Sequence, residues 1–256
     1  MSKNPSPIKA IFLDLDDTLV VNEALYDASR AMLYGYLSHF GIKHEESEAA
    51  LDRIDPEMYK IMGYSRSRLP ATYEAVLRHF IPDADAEMVR QVRSFAEKVF
   101  TTPGAVKPGV AEALGLLSEK YDLYIVTAGD RSVQQFRLEH LPFKEQIKQA
   151  FIVDKKTPEV FADIAAKLGF QLHEVVMVGD SLKSDVIPAV AAGMSGIVID
   201  AKTSSSFHPM HARSDALPEK NAYRYTSLLE LAYQLAAHDT PKRVLPTLAQ
   251  KKTPKP

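Results

Sequence analysis

Short apolar segments alternate with amphipathic helical patterns from about residue 105 to residue 199. Strands are predicted at 123–127, 150–153, 175–178 and 196–199, with one more at 8–13 near the N-terminus. Helices are predicted between them, at 110–120, 133–140, 158–168 and 185–192. Because strands that alternate with helices are joined by right-handed crossovers, they form a parallel sheet. The sequence therefore predicts an α/β fold with a Rossmann-like parallel sheet core of about five strands.

A block without a convincing strand separates the first predicted strand from the others. It holds four helical patterns in succession, at 24–40, 45–62, 68–80 and 85–100, which is typical of a small helical bundle. We therefore predict an α-helical cap domain at 20–104, inserted into a core domain formed by 1–19 and 105–240, with residues 101–104 as a hinge. A mobile tail rich in Pro and Lys is predicted at 241–256.

Three carboxylates and a hydroxyl follow the first predicted strand, in the sequence IFLDLDDTL at 11–19. Asp14 would lie at the carboxyl end of the strand, where open α/β sheets bind their ligands. Asp14 and Asp16 are two residues apart and point the same way in an extended segment, so one could attack a phosphate ester while the other transfers a proton. Thr18 adds a hydroxyl donor. A turn or helix cap rich in Asp has the same local pattern.

Polar residues also follow the second and third strands of the core. In YIVTAGD, the hydroxyl of Thr127 and the backbone amides of Ala128 and Gly129 could bind a phosphate, although a threonine here can also be a helix cap. In VDKKTPEVF, an ammonium group from Lys155 or Lys156 could neutralise a phosphoryl group, and a solvated lysine pair is the structural alternative.

The fourth segment, VVMVGDSLKSD, places Asp180 and Asp185 after an apolar strand and a glycine. Carboxylate oxygens are the ligands that Mg²⁺ prefers, and the ion is usually held by one or two carboxylates together with substrate phosphate. Asp14 and Asp180 as direct ligands, with the backbone carbonyl of Asp16, meet that description. A turn with a capping Asp would also explain this segment if it stood alone.

Taken together, these segments resemble the four motifs of the haloacid dehalogenase superfamily of phosphohydrolases, over about residues 8–199. The resemblance implies a helical cap inserted after the first motif, as in subfamily I, and a catalytic Asp14 and Asp16. It implies that Thr127 binds the phosphoryl oxygens and that Asp185 supports the metal. Lys155 is indicated as the third-motif lysine, because that lysine commonly lies three residues before a helix-opening Pro; Lys156 remains open. Asp16 favours phosphoryl transfer, because dehalogenases of the superfamily lack this second Asp.

Charge and composition limit the partners. The net charge is −2 and the sequence pI is about 6.5, which gives no electrostatic reason to bind nucleic acid or an anionic membrane and favours a small metabolite. The resemblance to the haloacid dehalogenase superfamily implies that this is a small phosphorylated metabolite. The chain has no cysteine, which excludes thiol catalysis and zinc–thiolate sites, and no apolar run is long enough to span a bilayer. A cytoplasmic location is expected, and the oligomeric state is not encoded in any pattern found.

The predicted function is that of a Mg²⁺-dependent phosphatase acting through an aspartyl-phosphate on Asp14. A phosphomutase or phosphotransferase would use the same residues with a second substrate in place of water. A non-catalytic protein that binds a phosphorylated metabolite is the alternative outside enzymes. In the cap, the sequence MGYSRSR at 62–68 contains Arg66 and Arg68, which could bind a further polar or anionic group of the substrate or could simply be exposed.

Overall fold

The structure is a computed structural model, and it describes residues 8–63, 65–199, 217–218, 220–238 and 240–241. The predicted tail at 241–256 therefore lies outside the described residues, except for residue 241. The strands are β1 (Ala10–Leu13), β2 (Val20–Val21), β3 (Ala105–Val106), β4 (Asp122–Ala128), β5 (Gln149–Val153), β6 (Val175–Gly179), β7 (Ser195–Ile199) and β8 (Ala222–Tyr225). The helices are α1 (Glu23–Ser38), α2 (His44–Met62), α3 (Arg68–Phe80), α4 (Ala86–Thr101), α5 (Val110–Ser118), α6 (Arg131–Glu139), α7 (Pro158–Lys167), α8 (Ile187–Ala192) and α9 (Leu228–His238).

The main sheet has the strand order β5-β4-β1-β6-β7-β8, and all of its neighbouring strands are parallel. The chain adds strands on one side of β1 and then crosses to the other side with β6. Ligands in open α/β sheets bind at the carboxyl ends of strands beside such a reversal. The predicted α/β Rossmann-like class is confirmed.

Strand β1 is fully buried and separates two apolar layers. Ile11 and Leu13 face one layer, which includes residues of α5 and α9, while Ala10 and Phe12 face the other, which includes residues of α7 and α8. This alternation follows from the two-residue period of a strand. A strand covered on both faces is held rigidly, so the residue that follows Leu13 has a fixed position.

Helices α1 to α4 form the inserted cap and share an apolar cluster, which Val133 of α6 also joins. It includes Leu37, Tyr73, Val76 and Phe95 from three of these helices. Helix α4 begins at Ala86, one residue after the predicted start, because Asp85 is the N-cap: its side chain accepts a hydrogen bond of 2.9 Å from the Met88 N–H.

The cap joins the core through a two-stranded antiparallel sheet made of β2 and β3. At Gly104, a Cβ atom would lie 2.6 Å from the Asn22 side-chain oxygen, so a glycine is required for the two crossing segments to pass this closely. The predicted hinge at 101–104 thus falls partly in the last turn of α4 and partly in the loop before β3.

The core has six strands in its main sheet, one more than predicted. The additional strand, β8, pairs with β7 and is followed by α9, which packs against α5. The predicted helix at 185–192 begins with a π-helical turn, Leu182–Val186, before α8.

Among the described residues, no helix is long and apolar enough to cross a membrane.

Candidate active site

Asp14 directly follows β1 at the carboxyl edge of the sheet. The Asp14 N–H donates to the Val178 carbonyl at 2.9 Å, which continues the pairing of β1 with β6 beyond Leu13. The carboxylate is buried, and its Oδ2 accepts a hydrogen bond of 3.2 Å from the Thr18 hydroxyl. The strand therefore delivers Asp14 to the crevice side of the sheet with one of its oxygens already held.

Asp180 and Asp185 lie beside Asp14, as the sequence predicted. One carboxylate oxygen from each of the three residues lies within 4.8 Å of the others. Asp185 comes from the π-helical turn, and its Oδ2 accepts from the Ser181 N–H at 3.1 Å. Gly179 makes room for this carboxylate, because a Cβ atom there would lie 2.1 Å from the Asp185 Oδ2.

Lys156 contacts two of these carboxylates. Its ammonium group donates to Asp14 Oδ1 and, at 2.5 Å, to Asp185 Oδ1. The prediction that Lys155 reaches the site is wrong, because Lys155 is exposed and Lys156 is buried. Thr157 caps α7 by accepting a hydrogen bond from the Val160 N–H at 3.3 Å. Lys156, the residue just before this cap, faces inward.

Burial and mutual repulsion dominate the electrostatics. Burial raises the pKa of Asp14 from 3.8 to about 7, and the charges of Asp185 and Asp16 also raise it, while Lys156 lowers it. Burial together with the charges of Asp14 and Asp185 raises the pKa of Asp180 well above 3.8. Burial would lower the pKa of Lys156, but the two carboxylates that it contacts raise it more. Three carboxylates share this site with one ammonium group, and the site therefore favours a cation.

Asp16 lies apart from this carboxylate cluster. Its Oδ1 accepts from the Asn22 side-chain amide at 2.6 Å, and its Oδ2 accepts from Gln134 at 2.9 Å and from Arg137. The Asp16 carboxylate does not belong to the cluster of Asp14, Asp180 and Asp185. Of the predicted metal ligands at Asp16, only the backbone carbonyl therefore stays a candidate.

Thr127 is buried in β4, next to β1 in the sheet. Its hydroxyl donates to the Gln134 side-chain oxygen at 3.1 Å. Gly129 has a φ of +143°, but its N–H donates to the Val153 carbonyl at 3.2 Å and is not free for a phosphate in this conformation. Of the three groups predicted to bind a phosphate, the Thr127 hydroxyl and the Ala128 backbone amide stay candidates.

The loop between α2 and α3 rests on the core. The Arg66 N–H donates to the Asp130 carboxylate at 3.1 Å, and Asp130 also caps α6. For Arg68, the sequence left open a contact with the substrate or an exposed position, and the exposed position is wrong. Arg68 is buried, pairs with Asp55 and lies 5.6 Å from the centre of the Tyr59 ring, so it is a structural cation of the cap.

Sequence reasoning missed Asn22, Gln134 and Arg137, which surround Asp16. A signal was present in α6: Gln134 and Arg137 are three residues apart and share the buried side of the helix with Val133. Polar side chains on the buried face of a short helix usually have a partner, but the sequence does not say which partner.

A family model described as haloacid dehalogenase-like hydrolase matches residues 8–193, which include the core through β6 and the whole cap. The chain belongs to this family. The resemblance of the four motifs is thereby confirmed, and the protein is a hydrolase. The match covers Asp14, Asp16, Lys156, Asp180 and Asp185.

Curated relatives of this hydrolase are named as phosphatases and as a nucleotidase. It is 26% identical over 236 residues to glyceraldehyde 3-phosphate phosphatase of Methanopyrus kandleri, covering 90% of this chain and 99% of the relative. It is 24% identical to N-acylneuraminate-9-phosphatase of Rattus norvegicus, covering 91% of this chain and 96% of the relative. It is 26% identical to pyrimidine 5'-nucleotidase PynA of Streptococcus pneumoniae, covering 87% of this chain and 94% of the relative.

Solved structures share the fold. A haloacid dehalogenase-like family hydrolase from Xanthomonas campestris is similar with a TM-score of 0.74 and 20% identity, covering 93% of this chain and 95% of that one. The hydrolase YfnB from Bacillus subtilis is similar with a TM-score of 0.64 and 20% identity, covering 90% and 99% of the two chains. The capped α/β architecture is therefore that of known members of the family.

Proposed function

We propose that this hydrolase is a Mg²⁺-dependent phosphatase that hydrolyses small phosphomonoesters through an aspartyl-phosphate on Asp14. The observation that carries the proposal is the buried Asp14 carboxylate at the carboxyl end of the central strand, in contact with Lys156. Asp16, two residues further on, supplies the proton-transfer group that an ester leaving group needs. The names of relatives that match over nearly their full length support the same reaction class.

The proposed reaction uses each of these side chains in turn. An Asp14 oxygen attacks phosphorus, the bond from phosphorus to the ester oxygen breaks, and Asp16 donates a proton to that oxygen. Asp16 then takes a proton from a water molecule as the water oxygen attacks the same phosphorus. The bond between phosphorus and the Asp14 oxygen breaks, which releases inorganic phosphate and restores the Asp14 carboxylate. Lys156 and Thr127 would hold the phosphoryl oxygens and offset their charge.

The residues present fit a magnesium ion. Asp14, Asp180 and Asp185 offer three hard oxygen ligands within 4.8 Å of one another, and one ammonium group neutralises only part of their charge. The backbone carbonyl of Asp16 would complete the protein's share of the ligands. When bound there, Mg²⁺ offsets the repulsion between a carboxylate nucleophile and an anionic phosphate.

The substrate class can be tested with a panel built from the names of the relatives: glyceraldehyde 3-phosphate, N-acylneuraminate 9-phosphate and pyrimidine 5'-nucleotides, together with p-nitrophenyl phosphate. Phosphate release that needs Mg²⁺ and stops on addition of a chelator would support the proposal. Isomerised or transferred product without phosphate release would favour a mutase or phosphotransferase. Tight binding without turnover would favour a metabolite-binding protein.

We predict that Asp14→Asn lowers phosphate release by at least about 10³-fold, because the substitution removes the nucleophile. Asp17→Asn in the same loop is the matched control, since an asparagine at Asp17 keeps an oxygen that can accept from the Asn22 N–H and tolerates the φ of +57°. Circular dichroism should show both variants folded. Near-normal activity of Asp14→Asn would contradict the proposed function.

A further inference from the structure

The Asp16 carboxylate is held by three side-chain donors that come from two separate parts of the chain. Asn22 Nδ2 donates to Oδ1 at 2.6 Å, while Gln134 Nε2 at 2.9 Å and an Arg137 nitrogen donate to Oδ2. Each carboxylate oxygen can accept about two hydrogen bonds. Oδ2 therefore has both of its positions filled, and Oδ1 retains one.

Gln134 connects Asp16 to the neighbouring strand. Its side-chain oxygen accepts from the Thr127 hydroxyl at 3.1 Å, and its nitrogen donates to Asp16. One amide thus fixes both groups, and the two bonds together determine which way the amide faces. Gly129 leaves room for it, because a Cβ at that position would lie 3.1 Å from the Gln134 nitrogen.

Arg137 is not explained by stability. The residue is only 6% exposed, and its Nε and Nη2 atoms have no hydrogen-bond partner among the described residues. Its Nη1 atom donates to Asp16 Oδ2. Burial would lower the pKa of the guanidinium group, but the side chains of Asp16 and of Tyr26, a cap residue, raise it. Burying a guanidinium group with unsatisfied donors costs free energy, and burying an apolar residue in the same place would cost less.

We infer that Gln134 and Arg137 are positioning residues for proton transfer: they fix the Asp16 carboxyl group so that its Oδ1 atom faces the leaving oxygen of the substrate. A proton donor works only within about 2.6–3.2 Å of its acceptor, so a carboxyl group free to rotate would lose most of its effect. The inference rests on the proposed function, because it assigns a role in the reaction proposed for Asp16.

The test compares leaving groups that need protonation to different extents. An alkoxide leaves only with a proton, whereas p-nitrophenolate is a weak base and leaves without one. The variants are Gln134→Met, Arg137→Met and the conservative Arg137→Lys. The controls are Gln135→Met, on the exposed side of the same helix, and Arg90→Met, on the exposed surface of α4.

First-turnover release of the leaving group is measured with p-nitrophenyl phosphate and with the alkyl phosphomonoester that the wild type hydrolyses fastest. We expect Gln134→Met and Arg137→Met to slow alkyl ester cleavage by about 10- to 100-fold and p-nitrophenyl phosphate cleavage by less than about 3-fold. Arg137→Lys should recover part of the alkyl rate, and the two controls should match the wild type on both substrates.

Equal losses on both substrates, or no loss on either, would overturn the inference. An inactive wild type, or activity that survives Asp14→Asn, would instead overturn the proposed function. Circular dichroism and thermal melting identify a variant that does not fold; if Arg137→Met fails in this way, Gln134→Met and Arg137→Lys carry the comparison.

Discussion

Lys156 places one ammonium group between two buried carboxylates. It donates to Asp14 Oδ1 and to Asp185 Oδ1, so it lowers the repulsion that would otherwise separate them. Ion pairs this deeply buried contribute little net stability, but removing one partner leaves a charge without compensation. The lysine is therefore placed to serve both the folded site and the phosphoryl group that would bind there.

Replacing each lysine of the pair tests this placement. We predict that Lys156→Met lowers kcat/KM by at least about 10²-fold, because it removes the charge that offsets the phosphoryl group, and that it also lowers Tm. Lys155→Met should keep activity within about 2-fold, because exposed side chains away from a site contribute little. Both are measured with the best substrate of the panel. A larger loss for Lys155→Met would contradict the assignment.

Sequence patterns placed the residues at strand ends correctly and failed where a choice depended on local backbone geometry. Asp14, Asp180 and Asp185 lie together because parallel strands end at one edge, and that is readable from apolar runs. Lys155 and Lys156 differ only in which of them faces inward just before the Thr157 cap. The contact of Arg137 with Asp16 joins residues 121 positions apart, and no local pattern encodes it.

At the scale of elements, the turn after β6 is shaped by the close approach of the Asp185 side chain to the backbone of Gly179. A Cβ on Gly179 would lie 2.1 Å from Asp185 Oδ2, and the nearest atoms are all from the Asp185 side chain. The π-helical turn that carries Asp185 can therefore pack against the end of the strand only if the strand ends in glycine. This contact links the end of a core strand to the geometry of the site.

Gly179→Ala should displace the Asp185 carboxylate. We predict a decrease in Tm of at least about 3 °C, or about 1 kcal/mol for a chain of this size, with a loss of activity of about 10-fold or more. Gly115→Ala is the matched control: Gly115 lies inside α5 with no atom within 4 Å of its added Cβ, so a small stabilisation is expected. An unchanged Tm and activity in Gly179→Ala would show that the turn accommodates the methyl group.

The elements near the C-terminal end of the described chain were the hardest to predict. Strand β8 has four residues, of which the first and last are buried and the middle two are partly buried, so it shows no alternation. Only its pairing with β7 defines it. Helix α9 is different, because Leu228, Leu231, Ala232 and Leu235 are buried at helical spacing and could have predicted it.

At the scale of the whole molecule, the charges of the candidate active site lower the stability of the fold. Its three clustered carboxylates face one another within 4.8 Å, and Lys156 compensates only one unit of charge. The pKa of Asp180 is raised above 3.8 by burial and by Asp14 and Asp185, so the folded chain binds protons there more tightly than the unfolded chain does. A group of this kind contributes stability below its unfolded pKa and loses it as the pH rises through its folded pKa.

Asp180→Asn should therefore stabilise the protein in the presence of a chelator, and more at pH 8 than at pH 5. We expect Tm to rise by about 2–6 °C at pH 8, or about 1–2 kcal/mol, because the variant removes a charge that is costly to ionise in the folded state. Phosphate release should fall steeply in the same variant, since the proposed Mg²⁺ site loses one of its ligands.

Adding Mg²⁺ should reverse the order of stability. A cation that binds the folded state raises Tm in proportion to the logarithm of its concentration over Kd, and the wild type with all three carboxylates should gain more than Asp180→Asn. Asp83→Asn, an exposed position in the loop before α4, is the control and should show neither effect. A lower Tm for Asp180→Asn than for the wild type, at pH 8 with chelator, would contradict this prediction. It would show that repulsion among the three carboxylates does not destabilise the folded protein.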